Sequence, residues 1–341
     1  DVINIIYKEA IKNGKWRPAL TGSEYYLSTP GCHRVLHRLY TDVLSQYNAF
    51  TVGETVFVTP KMADDLVNPA RGELSTVFAF EHMETDCYKI KWFLRKFKPD
   101  RFFSCITKWQ QQLPWNTVYL ENHDQPRSVS RYGNDAEYHD ESAKALATLV
   151  LTLRGTPFLY EGQEIGMTNF DFPDMQKVRD VESINIWNIG KRLHLPRSLR
   201  WRMIKTKSRD NTRTPMQWND SPNAGFTTGT PWLSVNGNYP RINAARQEND
   251  PASVLSFYRR LIAFRNGSEV LQAGSFTSLF LGNGVYAYRR ELNGEGLTVV
   301  VSLAAAERPN PVSGTVVFSN YDRTEAPQRL APYEALILQE G

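Results

Sequence analysis

The sequence predicts an α/β fold of the parallel (β/α)8-barrel type, followed by a small all-β domain. Three observations point there. Amphipathic helices alternate with short apolar strands, which is the pattern of βα units on a parallel sheet. Several strands end abruptly in clusters of polar and ionisable groups, as the C-terminal strand tips of a parallel barrel do. After the helix ending at Arg265 the pattern changes to alternating short strands separated by Gly and Asn turns, an all-β domain beginning near Gly267.

Taken in order, Cys32 to Tyr47 reads as a helix with Val35, Leu36, Leu39, Val43 and Leu44 on one apolar face. A strand then runs from Ala49 to Glu54, and a second from Ser75 to Phe80 ends in Glu81-His82. Arg101 to Gln112 reads as helix, and the strand after it runs into Glu121-Asn122-His123-Asp124-Gln125-Pro126-Arg127, where the proline stops it. Glu141 to Leu153 is a further helix, with Ala143, Leu146, Ala147, Val150 and Leu151 on its apolar side. The strand Gly155 to Tyr160 and the helix Pro251 to Arg265 complete the α/β part, 1–266. Residues 267–341 carry strands at 275–281, 285–290, 297–303, 315–318 and 335–339, with Gly282-Asn283-Gly284 and Asn293-Gly294 as turns.

Composition narrows the function. Forty Lys and Arg against 36 Asp and Glu leave a net charge of +4, too small at this length to favour nucleic acid as a partner. Cys32, Cys87 and Cys105 are odd in number and widely spaced, so neither a disulfide framework nor a zinc site is expected. A reducing, cytoplasmic location fits them. No apolar run is long enough to span a membrane. The first residue is not methionine, so the natural N-terminus is expected to lie upstream and the lack of a leader carries no weight.

Three carboxylates stand out by position: Glu54 and Asp124 at strand tips, and Asp1 ahead of the run Val2-Ile3-Asn4-Ile5-Ile6. Taken singly, a strand-end acid is more often a helix cap or half of an ion pair. Together, three of them suit glycosidic bond chemistry, in which two divide nucleophile and acid roles while the third grips sugar hydroxyls. Glu81-His82 reads equally as a cleft position or a structural pair. His33 and His37, four apart, read as a solvated helix face before a metal site. The basic run Lys89 to Lys98 reads as a solvated loop leading into a helix.

Six motifs in order carry a family resemblance: Asp1-Val2-Ile3-Asn4, Val52-Gly53-Glu54-Thr55, Phe80-Glu81-His82-Met83, Glu121 to Arg127, Gly155 to Met167, and Arg209 to Trp218 followed by Ala224-Gly225-Phe226. The chain resembles glycoside hydrolase family 13, and within it the oligo-1,6-glucosidase and α-glucosidase group. The resemblance implies the C-terminal half of a (β/α)8 barrel, from the end of strand four to helix eight, and then an antiparallel β domain. It assigns Asp1 as nucleophile, Glu54 as general acid/base, Asp124 as transition-state stabiliser, His123 and Arg213 as sugar-binding residues, and Val2 as the residue setting α-1,6 over α-1,4 preference. It implies a short oligosaccharide as substrate, no cofactor in this segment, and room for a calcium site only upstream of Asp1. Two alternatives remain: a glucosyl-transferring sucrose isomerase-like enzyme, which would share the catalytic acid groups, and a non-catalytic relative of transporter heavy subunits, against which the retained Asp1, Glu54 and Asp124 weigh. By barrel strand count, roughly two fifths of the whole would precede Asp1, and the chain alone is expected to be inactive. The segment Lys191 to Lys207, with seven basic residues, departs from the group and has no assigned role.

Overall fold

The computed structural model describes residues 1–17, 20–88 and 90–339, so Lys89 of the basic run lies outside the described residues. The chain forms two compact units, Asp1–His82 with Cys105–Thr117, and Met83–Ser104 with Val118–Gly341.

In the first unit, helices α1 (Pro30–Asp42) and α2 (Pro60–Val67) both start with a Thr-Pro pair. The hydroxyls of Thr29 and Thr59 accept the N–H groups of Cys32 and Met62, and each proline sits where a helix has no use for its N–H. Strand β1 (Val52–Glu54) lies parallel to β2 (Thr76–Phe78), with Gly53 opposite Val77. The core gathers Cys32, Leu36, Ala63, Leu66, Val77 and Trp109, the last from helix α3 (Pro99–Gln112). Helix α1 is shorter than expected and buries less. Its contact with the core is confined to Cys32 and Leu36 in its first two turns, so Val35, Leu39 and Val43 stay 41–44% exposed. Leu44 falls in a separate 3-10 turn.

In the second unit, part of the basic run turns out to be an antiparallel hairpin, β3 (Cys87–Tyr88) with β4 (Ile90–Leu94), rather than loop and helix start. The physical reason is an alternation that the lysines mask: Trp92 is buried against Phe172, Val178 and Met203 while Phe93 faces out. Strands β5 (Thr117–Val118) and β6 (Thr156–Pro157) form one sheet, and the N–H of Phe158 donates to the Val118 carbonyl at 2.8 Å. Helix α4 (Ser128–Tyr132) leads to α5 (His139–Thr152), which is buried along nearly its whole length. A helical hairpin follows, α6 (Val181–Arg192) and α7 (Arg197–Lys207). After it come α8 (Ala244–Gln247), α9 (Val254–Asn266) and α10 (Glu269–Ala273).

The terminal domain is a five-stranded antiparallel sheet in the order β11-β13-β9-β8-β7, built from β7 (Ser275–Gly282), β8 (Val285–Leu292), β9 (Glu295–Ser302), β11 (Thr315–Ser319) and β13 (Ala335–Gln339). The short strands β10 (Arg308–Pro309) and β12 (Arg329–Leu330) pair separately. Its first two hairpins turn at Asn283-Gly284 (φ 54° and 80°) and Asn293-Gly294 (φ 53° and 86°), the left-handed pairs that match strand twist. Two buried arginines brace this region: Arg265 ties α9 to the end of α5 and to α10, and Arg290 of β8 ties the sheet to the end of α5. Arg265 donates to the carbonyls of Leu151, Gly155 and Leu271, and Arg290 to those of Thr152, Gly274 and Ser275. They thereby serve carbonyls that the C-terminal end of α5 leaves without an intrahelical donor.

Candidate active site

Glu54 ends β1, and its Oε2 accepts the N–H of Val2 at 3.3 Å, so the segment beginning at Asp1 is tied directly to the strand tip. Asn4 makes that link rigid. It is fully buried, its Nδ2 donates to the Val56 carbonyl at 2.9 Å, and its Oδ1 accepts the Val56 N–H at 3.1 Å. The residues after Asp1 therefore form a 3-10 turn (Ile3–Ile5) rather than an extended run. Gly53 permits the approach: a Cβ there would lie 2.9 Å from the Ile3 side chain and 2.7 Å from that of Leu74. Val2 sits in the left-handed region at φ 43°, ψ 46°, a strained conformation for a β-branched residue. Asp1 itself is exposed.

The second unit brings together His123, Asp124 and Arg213. The Asn122 side chain shapes the tip by accepting the Asp124 N–H at 2.8 Å, an Asx turn. Arg213 donates from Nη2 to Asp124 Oδ1 at 2.5 Å and from Nε to the His123 carbonyl at 2.8 Å. Two nitrogens that the sequence did not single out for this role also face Asp124 Oδ1: Arg209 Nη1 at 3.6 Å and His123 Nε2 at 3.7 Å. Arg209 is anchored from behind by Asp180, the N-cap of α6, through Nε at 2.9 Å. Its place in the Arg209–Trp218 motif was the only signal available.

Beneath this tip lies a buried network that sequence reasoning missed. Arg127 is 1% exposed and reaches three loops: Nη1 donates to the Glu161 carbonyl at 2.6 Å, Nη2 to the Thr212 carbonyl at 3.3 Å, and Nη1 stands 3.4 Å from Glu121 Oε1. The Tyr160 ring lies under its guanidinium, and the Tyr160 hydroxyl also donates to the Thr212 carbonyl at 3.3 Å. Burial raises the Glu121 pKa, against the pull of the Arg127 charge and the Ser128 N–H.

Residues 1–274 match the family described as Alpha amylase, catalytic domain. The chain belongs to the alpha-amylase family. Over 360 residues it is 40% identical to the oligo-1,6-glucosidase of Parageobacillus thermoglucosidasius, with 99% of this chain and 64% of that protein aligned. Over 355 residues it is 35% identical to the trehalose-6-phosphate hydrolase of Bacillus subtilis, covering 99% of this chain and 63% of that protein. Among solved structures it superposes on the isomaltulose synthase of Klebsiella sp. LX3 with a TM-score of 0.93 at 33% identity, over 99% of this chain and 64% of that one. The chain thus spans about 64% of the length of these relatives. In fold, this alpha-amylase family member carries part of the barrel followed by the antiparallel domain.

Other candidates resolve as structural groups. Glu81 is ion-paired with Lys108 and accepts the Trp109 indole N–H at 2.9 Å. His33 is not a solvated residue but is half-buried, with Nδ1 2.8 Å from Glu73 Oε2, while His37 is exposed and bonds the Arg71 carbonyl at 2.7 Å. Cys32, Cys87 and Cys105 form no disulfide. Among the described residues, no group of three or more His, Cys, Asp or Glu side chains is placed to hold a metal ion.

Proposed function

We propose that the protein containing this chain is a retaining exo-α-glucosidase that releases the non-reducing-end glucose of short α-glucosides, α-1,6-linked ones preferred. The observation that supports the reading is the hydrogen bond between Glu54 and the N–H of Val2, the residue directly after the candidate nucleophile Asp1. The 40% identity to an oligo-1,6-glucosidase supports the linkage preference.

In this mechanism the Asp1 carboxylate attacks the anomeric carbon as Glu54 gives its proton to the departing glycosidic oxygen. The glycosyl ester on Asp1 is then cleaved by water, whose proton passes to Glu54, and configuration is retained. Asp124 would hold sugar hydroxyls through Oδ2, because Arg213 and Arg209 both address Oδ1. Arg213 uses two of its five N–H donors on Asp124 and the His123 carbonyl, which leaves donors for a further sugar hydroxyl. These hydroxyl contacts tighten as the ring flattens, which is where they accelerate the step.

The deciding experiment is Glu54→Gln in the complete enzyme. The amide cannot protonate the leaving oxygen, so hydrolysis of isomaltose should fall by about 10²–10⁴-fold. An aryl glucoside with a good leaving group should suffer less in its first step. Isomaltose turnover equal to wild type would remove Glu54 from the role. The likeness to an isomaltulose synthase favours one second reading, glucosyl transfer to sugar. Products from sucrose separate the two: free glucose and fructose support hydrolysis, and a rearranged disaccharide supports transfer.

A further inference from the structure

Between Glu182 and Asp210 the chain carries eight cations and no carboxylate. Without those eight, 32 basic residues would face 36 acidic ones, so the positive balance of the whole molecule resides in this one segment. It folds as the α6–α7 hairpin, whose inner face packs Ile184, Ile186, Trp187 and Trp201 onto Trp92 and Phe172.

Four of the eight cations are engaged. Lys207 is paired with buried Asp86, Arg209 with Asp180, and Lys205 with Asp171, while Arg200 lies over the Trp187 ring and donates to the Leu195 carbonyl. The other four, Lys191, Arg192, Arg197 and Arg202, are exposed, and no ion pair joins any of them to a carboxylate among the described residues. Ile189, Leu193 and Leu199, 46%, 66% and 39% exposed, lie among them. Ile189 in the last turn of α6 and Leu193, its C-cap, are both outside the apolar cluster beneath. Helix stability does not explain the charges. Lys191 and Arg192 suit the end of α6, but Arg197 is the first residue of α7, where the helix dipole disfavours a cation.

We propose that the α6–α7 turn docks peripherally on an anionic membrane surface. Lys191, Arg192, Arg197 and Arg202 would meet lipid phosphates, while Ile189, Leu193 and Leu199 enter the headgroup boundary. Charge complementarity selects an anionic partner. The interleaved aliphatic side chains favour lipid over a nucleic acid, whose bases would ask for aromatic or amide contacts. The contact is superficial: no described helix is long and apolar enough to cross a membrane. It does not depend on the glucosidase reading.

The test is sedimentation of the complete protein with vesicles of phosphatidylcholine alone or mixed with phosphatidylglycerol. Binding is expected only to the mixed vesicles and should vanish at high salt. The variant Lys191→Glu/Arg192→Glu/Arg197→Glu should bind more than about tenfold more weakly with an unchanged melting temperature. Leu193→Ser should weaken binding while keeping its salt dependence. Absence of binding to the mixed vesicles, or equal binding by the triple variant, overturns the proposal. So does tighter binding to polyuridylate or polyglutamate than to the vesicles.

Discussion

At the scale of single residues, Val2 is the position where backbone strain meets the proposed selectivity. Its N–H is bonded to Glu54, so its side chain is held at a fixed place relative to the proposed acid. Thr is also β-branched and carries the same left-handed strain, so Val2→Thr changes little except the added hydroxyl. Measured on the complete enzyme, the ratio of kcat/KM for isomaltose over maltose should fall by an amount worth about 1–3 kcal/mol. An unchanged ratio would exclude Val2 as the selecting residue. Arg127 acts one layer deeper. Its guanidinium holds the Thr212 carbonyl, and so the residue before Arg213, while its backbone belongs to the Asp124 tip. Arg127→Lys keeps the charge but loses the fork. We expect kcat to fall about 10- to 100-fold, with KM and pH profile little changed, because a displacement of about 1 Å costs that much. A lower melting temperature with unaltered kcat would make Arg127 purely structural.

At the scale of elements, the join between α5 and the terminal sheet rests on the buried guanidinium of Arg290 as well as on apolar packing. Arg290 is fully buried and serves three carbonyls. Burial pushes its pKa down to about 10, and it stays charged at neutral pH. Arg290→Met fills similar space but removes the guanidinium donors of those three carbonyls, at about 1–3 kcal/mol for each buried group left unpaired. Chemical denaturation should report a loss of several kcal/mol. A loss below about 1 kcal/mol would mean that water or a shifted donor replaces the guanidinium. Asp100 makes a smaller join, accepting the N–H groups of Asn283 at 3.2 Å and Gly284 at 2.6 Å, where the hairpin turn exposes them.

At the scale of the whole molecule, one buried ionic cluster ties distant parts of the second unit together. Asp86 accepts from Arg131 at 2.8 and 2.9 Å and from Lys207 at 2.7 Å, bringing the start of the β3–β4 hairpin to α4 and α7. Burial alone would raise the Asp86 pKa. The two cations outweigh it and hold the carboxyl down at about 2. Because the folded pKa lies below the unfolded value of 3.8, this stabilisation is complete above about pH 4 and is lost as pH falls through 2. It amounts to about 2–3 kcal/mol. Asp86→Asn should therefore flatten the acid limb of stability against pH, and should also destabilise at pH 7 because two buried cations lose their counterion. An acid limb identical to wild type would show that other carboxylates control it.

Much of this protein was legible without coordinates. The strand ending at Glu54, the helix over α5, the Asn-Gly turns and the terminal strands all come from short-range causes: periodicity and residues tolerant of positive φ. The strand expected to run to Asn122 is shorter, pairing only over Thr117–Val118. Of the candidate site, Glu54, His123, Asp124 and Arg213 were legible as members of recognisable motifs, and the last three do meet in the structure. Tertiary structure alone decided which groups those residues meet. Arg127 and Thr212 are 85 positions apart, and Asp86 and Lys207 are 121 apart. Nothing in local pattern marks such pairs. A buried charge is tolerated only where the fold delivers its partner, and that delivery depends on packing between elements rather than on propensity within them. The same reason hid the β3–β4 hairpin, whose lysines suggested solvent until Trp92 found its place in the core.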